Sequence, residues 1–120
     1  MLPVDNRLRD NRDFRHAYSR GRSQVSELAV LYVIRRRSTE PVSVQGLRVG
    51  FVVSKKQGNA VARNRIKRRL REAVRLRLSA LSIECLDLVF VGRGKLKTAA
   101  WPAVQAAIDD LLRRARVLPR

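Results

Sequence analysis

The chain has 120 residues, 45% of them hydrophobic, and sets 27 basic side chains against 10 acidic ones, a formal net charge of +17. That length suits one domain with a real core, while the charge repels itself unless an anionic partner is near. The lone Cys85 excludes an intrachain disulfide and fits a reducing compartment. No apolar run approaches the roughly 18 residues of a membrane span, and the first residues lack the apolar centre of a signal peptide, so a cytoplasmic protein that engages no membrane is expected.

Residues 1–10 are polar and irregular, an N-terminal arm. Asn11 is placed to cap a short helix through Arg20, with Asp13 favourable in its first turn and Gly21 as its stop. Phe14, Ala17 and Tyr18 share a face of that helix. Residues 26–36 read as one long strand, with Leu28, Val30, Tyr32 and Ile34 on one side and Ala29, Leu31 and Val33 on the other. Both sides are apolar, so the strand is expected to be covered on both faces. After a loop over 37–46, residues 47–53 form a second strand, and the short connection predicts a hairpin with the first. Residues 54–62 lead into a basic helix that runs to about Ala80. Residues 86–91 form a third strand, 92–100 a basic loop, and Trp101-Pro102 opens a last helix. Val104, Ile108, Leu111, Leu112 and Ala115 make one stripe on it. The order helix, strand, strand, helix, strand, helix predicts a single α+β domain over 1–120, an α/β sandwich with helices packed on a small sheet.

The most informative stretch is 63–77, RNRIKRRLREAVRLR, with eight basic residues opposed only by Glu72. Ile66, Leu70, Ala73 and Val74 recur at helical spacing. Asn64, Arg68, Arg71 and Arg75 fall in one line on the opposite side. Charge runs are usually solvated faces, but this one is nearly one-signed, and guanidinium groups bind phosphate bidentately. A nucleic acid is therefore the expected partner. Lys55, Lys56 and Gly58 sit just before the helix, where backbone N–H groups favour anions, although a turn explains Gly58 equally well. GNAVARNR lacks a Walker pattern. Phe14 and Tyr18 could stack on unpaired bases or simply anchor the first helix to the core. His16 and Cys85, each the only one of its kind, cannot assemble a zinc site. The ten carboxylates show no pairing suited to two-metal hydrolysis. No catalytic residue, metal ligand, protein-bound cofactor or small-molecule substrate is assigned.

The run LRVGFVVSKKQGNAVARNRIKRRLREAVR (47–75) closely resembles the protein component of bacterial ribonuclease P. The resemblance centres on Arg63-Asn64-Arg65-x-Lys67-Arg68, preceded by Ser54-Lys55-Lys56 and Gly58-Asn59-Ala60-Val61, with Phe14-x-x-x-Tyr18-x-x-Gly21 before it and LDLVFV plus a helix after it. It implies a left-handed crossover through the basic helix. It also implies a ribonucleoprotein whose catalytic RNA, using divalent metal such as magnesium, removes the 5′ leader of precursor tRNA. The protein would bind that RNA and the leader, and would be inactive alone. Carried over by position, Phe14 and Tyr18 correspond to cleft aromatics near the leader. Arg63, Asn64, Arg65, Lys67, Arg68 and Arg71 correspond to RNA contacts on the helix, which Arg75 extends, and Lys55 and Lys56 to its approach loop. Tyr18 stands where the family often has Phe, and the loop 92–100 and the tail match only loosely. Two rivals follow from bulk features: a ribosomal-type RNA-binding protein, and a DNA-binding regulator, which would need a recognition helix after a short turn.

Overall fold

The computed structural model describes residues 11–35, 47–77 and 86–117. The elements are α1 (Asn11–Arg20), β1 (Arg22–Val25), β2 (Ala29–Arg35), β3 (Leu47–Val53), α2 (Ala60–Arg75), β4 (Leu86–Gly92) and α3 (Trp101–Arg114). The four strands form one sheet in the order β1-β2-β4-β3, with β1–β2 and β2–β4 antiparallel and β4–β3 parallel. The expected α+β sandwich is thus what the chain forms: three helices on a four-stranded mixed sheet.

The expected hairpin between the first and second long strands does not form. β4 lies between β2 and β3 and pairs with both. The reason is burial. Leu88, Val89 and Phe90 of β4 are fully buried on both faces of the sheet, so this strand takes an inner position. β3 reaches it through α2, the kind of helical crossover that a parallel pair requires. One strand is additional to those expected, α2 starts at Ala60 rather than after residue 62, and two further boundaries move. β1, RSQV, is short, polar and largely exposed, so it carries no hydrophobic alternation to read. β2 begins at Ala29, not residue 26, because the Ser26 hydroxyl accepts hydrogen bonds from the Leu28 and Ala29 backbone N–H groups and holds a turn between β1 and β2. Leu28, left in that turn, packs with the opposite side from the one its alternation suggested. Asn11 already lies within α1 rather than capping it, and what precedes it lies outside the described residues. The end of the basic helix past residue 77 lies outside the described residues.

One face of the sheet carries Ala29, Leu31, Val49, Val53, Leu88 and Phe90, which pack against Ile66, Leu70, Ala73 and Val74 of α2 and Val104, Ile108, Leu111 and Leu112 of α3. Both helical stripes are therefore core, as their spacing predicts. Gly92 permits the close approach of α2: a Cβ there would lie 2.6 Å from Ile66 Cγ2 and 3.1 Å from Leu70 Cδ1. Among the described residues the other face is covered by α1, through Ala17 against Ile34 and Val89, with Phe14, Tyr32, Val52 and Val91 only partly buried. Asp87, buried in β4, is held by a two-pronged ion pair from its register neighbour Arg48, at 2.9 and 2.8 Å.

Candidate nucleic-acid interface

The basic helix starts from a well-made corner. Ser54 Oγ accepts from the Lys56 N–H and holds Lys55–Gln57 in a single 3₁₀ turn. Gly58 follows with φ = 129°, a region L-residues rarely adopt. Asn59 then caps α2 by accepting from the Ala62 N–H at 3.0 Å. Lys55 and Lys56 are exposed on this corner.

Along α2, Asn64, Arg68, Arg71 and Arg75 face solvent in the line the spacing predicts, with Arg65 exposed beside them. Arg63 and Lys67 are half-buried on one flank, and Arg63 Nε is enclosed with no hydrogen-bond partner. The run is less uniform than its sequence suggests. Arg75 forms a two-pronged pair with Glu72, at 3.0 and 2.6 Å, which lowers the Glu72 pKa through hydrogen bonding. Arg69 turns the other way and donates to the carbonyls of Leu96 (2.7 Å), Lys97 (3.2 Å) and Ala99 (2.5 Å), with its guanidinium 6.0 Å from the Trp101 ring centre. Arg77 grips Asp109 of α3 and the Ala73 carbonyl. Arg69 and Arg77 fasten α2 to the rest of the fold, whereas among the described residues Arg65, Arg68 and Arg71 form no ion pair.

Lys67 is where the helix meets the aromatics. With Phe14, Arg15 and Tyr18 of α1 and Phe51, Val52 and Val53 of β3, it lines an open cleft of about 580 Å³. Phe14 is half-buried and rests on the small core under α1. Tyr18 is 41% exposed. Its ring stands edge-on to Tyr32, with centroids 5.0 Å apart, and burial, aided by Tyr32, raises its pKa. Of the residues singled out from sequence, the structure brings Phe14, Tyr18 and Lys67 together here. Arg15, Phe51, Val52 and Val53 were missed. Arg15 adjoins Phe14 in the chain, but the strand pattern gives no sign that Phe51 and Val52 reach a cleft at the sheet edge.

The sequence model of the family described as Ribonuclease P matches residues 2–116. The chain belongs to the ribonuclease P protein family. It is 41% identical over 114 residues to the ribonuclease P protein component of Clostridium novyi, covering 95% of this chain and 96% of that one. It is 38% identical over 109 residues to the component from Finegoldia magna, covering 91% and 89%. Its fold is similar to the solved RNase P protein of Staphylococcus aureus, with TM-score 0.79, 30% identity and coverage of 95% and 98%. The RNase P protein from Thermotoga maritima gives TM-score 0.75 at 29% identity, covering 90% and 96%. Membership makes the chain a component of an endoribonuclease, a tRNA-processing ribonucleoprotein in which its partner is ribonuclease P RNA. Among the described residues no helix is long and apolar enough to cross a membrane.

Proposed function

We propose that this ribonuclease P protein binds ribonuclease P RNA through the exposed cations of α2 and its corner, and the 5′ leader of precursor tRNA in the cleft between α1 and β3. The RNA cleaves; the protein raises affinity and cancels phosphate repulsion, which also favours divalent metal binding in the assembled complex. The observation that carries this reading is Lys67, which belongs to the basic helix yet lines the same cleft as Phe14 and Tyr18. One continuous surface can then hold phosphates at the helix and a stacked base at the aromatics. Among the described residues no three His, Cys, Asp or Glu side chains are grouped to hold a metal ion; in this reading the divalent metal is held by the RNA-containing complex. The complex would work in the cytoplasm.

Reconstitution tests this. The protein added to its cognate RNA at low magnesium should restore precursor-tRNA cleavage at the mature 5′ end, and the homogeneous protein without RNA should cleave nothing. Correct cleavage by RNA-free protein, or no stimulation of the RNA, would overturn the reading.

A further inference from the structure

α1 is a ridge with a cleft on each side. Phe14, Arg15 and Tyr18 look into the cleft described above. Two residues of the same helix on its other side, His16 and Arg20, line a second open cleft of about 690 Å³. Its other arginines are Arg22 of β1 and Arg114 and Arg116 at the end of α3. β1 and β3 are the opposite edges of the sheet, so this cleft lies at the far edge from the basic helix.

Four guanidinium groups from three elements converge here, and no carboxylate lies among the described lining residues. Asp110 reaches only Arg114, at 3.0 Å, and Arg114 also donates to the Val25 carbonyl at 2.7 Å. Helix C-termini attract cations, which accounts for Arg20 and Arg114 at the ends of α1 and α3. It does not account for Arg22 on a strand. Nor does it account for Arg116, which stands beyond α3 with φ = 61°, in the left-handed position that favours glycine. An arginine there adds like charge where the backbone would be easier without a side chain. Open, concave and cationic, the cleft suits a polyanion rather than an apolar ligand.

We propose that the Arg20–Arg22–Arg114–Arg116 cleft is a second phosphate-binding surface, which takes a sugar–phosphate strand of RNA on the side of α1 opposite the leader cleft. The proposal rests on the ribonuclease P reading for its choice of RNA. Binding across the ridge would let the protein grip RNA at both edges of its sheet.

The test is the double variant Arg22→Gln/Arg116→Gly. Both side chains are exposed, and glycine at 116 relaxes the backbone, so the thermal melt should match the parent's. Binding to the cognate ribonuclease P RNA is measured against salt, and a second arm measures binding of leader-bearing precursor and mature tRNA to the holoenzyme. Each lost phosphate contact lowers the log–log salt slope by about 0.7–0.9, so the double variant should lose roughly 1.5. A loss in the first arm identifies the strand as catalytic RNA. A loss confined to the second, equal for precursor and mature tRNA, identifies it as the tRNA body. Unchanged slopes in both arms overturn the proposal. So does an equal loss in Lys95→Gln/Lys97→Gln, which removes two exposed charges elsewhere. If the parent protein itself fails to bind the RNA, the ribonuclease P reading falls with it; a parent that binds beside an unaltered variant sinks the second surface alone.

Discussion

Arg68 and Arg69 are chain neighbours of one residue type, and the fold gives them opposite tasks. Arg68 is exposed on the outer line of α2. Arg69 lies a further 100° around the helix and is used up on three carbonyls and the Trp101 ring. Hydrogen bonds from charged groups contribute about 1.5–3 kcal/mol each, so Arg69→Ala should destabilise the fold by about 2–3 kcal/mol, read in a urea melt, while the salt slope of RNA binding stays as it was. The pair Arg65→Ala/Arg68→Ala should do the reverse, leaving the melt unaltered and lowering the slope by roughly 0.7–0.9 per residue. An unaltered slope in that folded pair would remove α2 as the contact surface. Sequence could not separate the two arginines. Helical spacing marks which positions are core, but Arg69's acceptors lie 27 to 30 residues downstream, and nothing local announces them. Phe14 shows a milder form of the same limit. Half-buried, it serves both the small core under α1 and the cleft, so Phe14→Ala should lower stability as well as leader binding. Tyr18 is the cleaner probe because it is the more exposed. Tyr18→Ala should weaken precursor tRNA by about 1–3 kcal/mol relative to mature tRNA, and Tyr18→Phe should be nearly silent, since the ring remains. Equal weakening of both tRNAs would make Tyr18 a general support rather than a leader contact.

Between elements, the attachment of α2 to α3 depends on Arg77 and Asp109, which are largely shielded from solvent. The hydrogen bond from Arg77 is the main cause of a lowered Asp109 pKa, opposed by partial burial and helped by the charges of Arg77 and Arg113. A carboxylate held below its unfolded pKa stabilises the fold above that unfolded value and loses the contribution as pH falls through the folded one. Asp109→Asn should therefore lower stability at neutral pH, by about 1–2 kcal/mol for a partly exposed charged hydrogen bond. The difference between parent and variant should shrink below the usual aspartate value of about 3.9. Urea melts across that range provide the check, and a constant difference would mean that the ion pair is not its source. The close contact of α2 with β4 is equally specific: Gly92→Ala should displace α2, because the added methyl would meet Ile66 Cγ2 at 2.6 Å and Leu70 Cδ1 at 3.1 Å within the buried core. The stripes of α2 and α3 were legible because burial of one helical face imposes a period on the sequence. Neither the Gly92 contact nor the Asp109 pair leaves such a period.

The whole molecule divides its work between the two faces of one sheet. Among the described residues the α2–α3 side carries most of the core, and the α1 side is only partly covered and bears the clefts. Sequence revealed the number and type of the large elements, but not their neighbours. Apolar runs in β2 and β3 separated by a loop read as a hairpin, and only the fuller burial of β4 decides that it lies between them. That arrangement has a measurable consequence. β4 is bonded to a strand on each side, whereas β1 is a four-residue edge strand. Amides released only by global unfolding are those of inner strands, while edges open locally. Hydrogen exchange should therefore be slowest in β4 and in the amides of β2 and β3 that face it, and fastest among the strands in β1. A chain ending at residue 85 removes the common partner of β2 and β3 together with α3, and its circular dichroism should show no cooperative melt. Had β2 and β3 paired directly, that fragment would retain protected amides across a β2–β3 ladder. Finding them would overturn the strand order, and with it the position of β3 as the free edge beside the aromatic cleft.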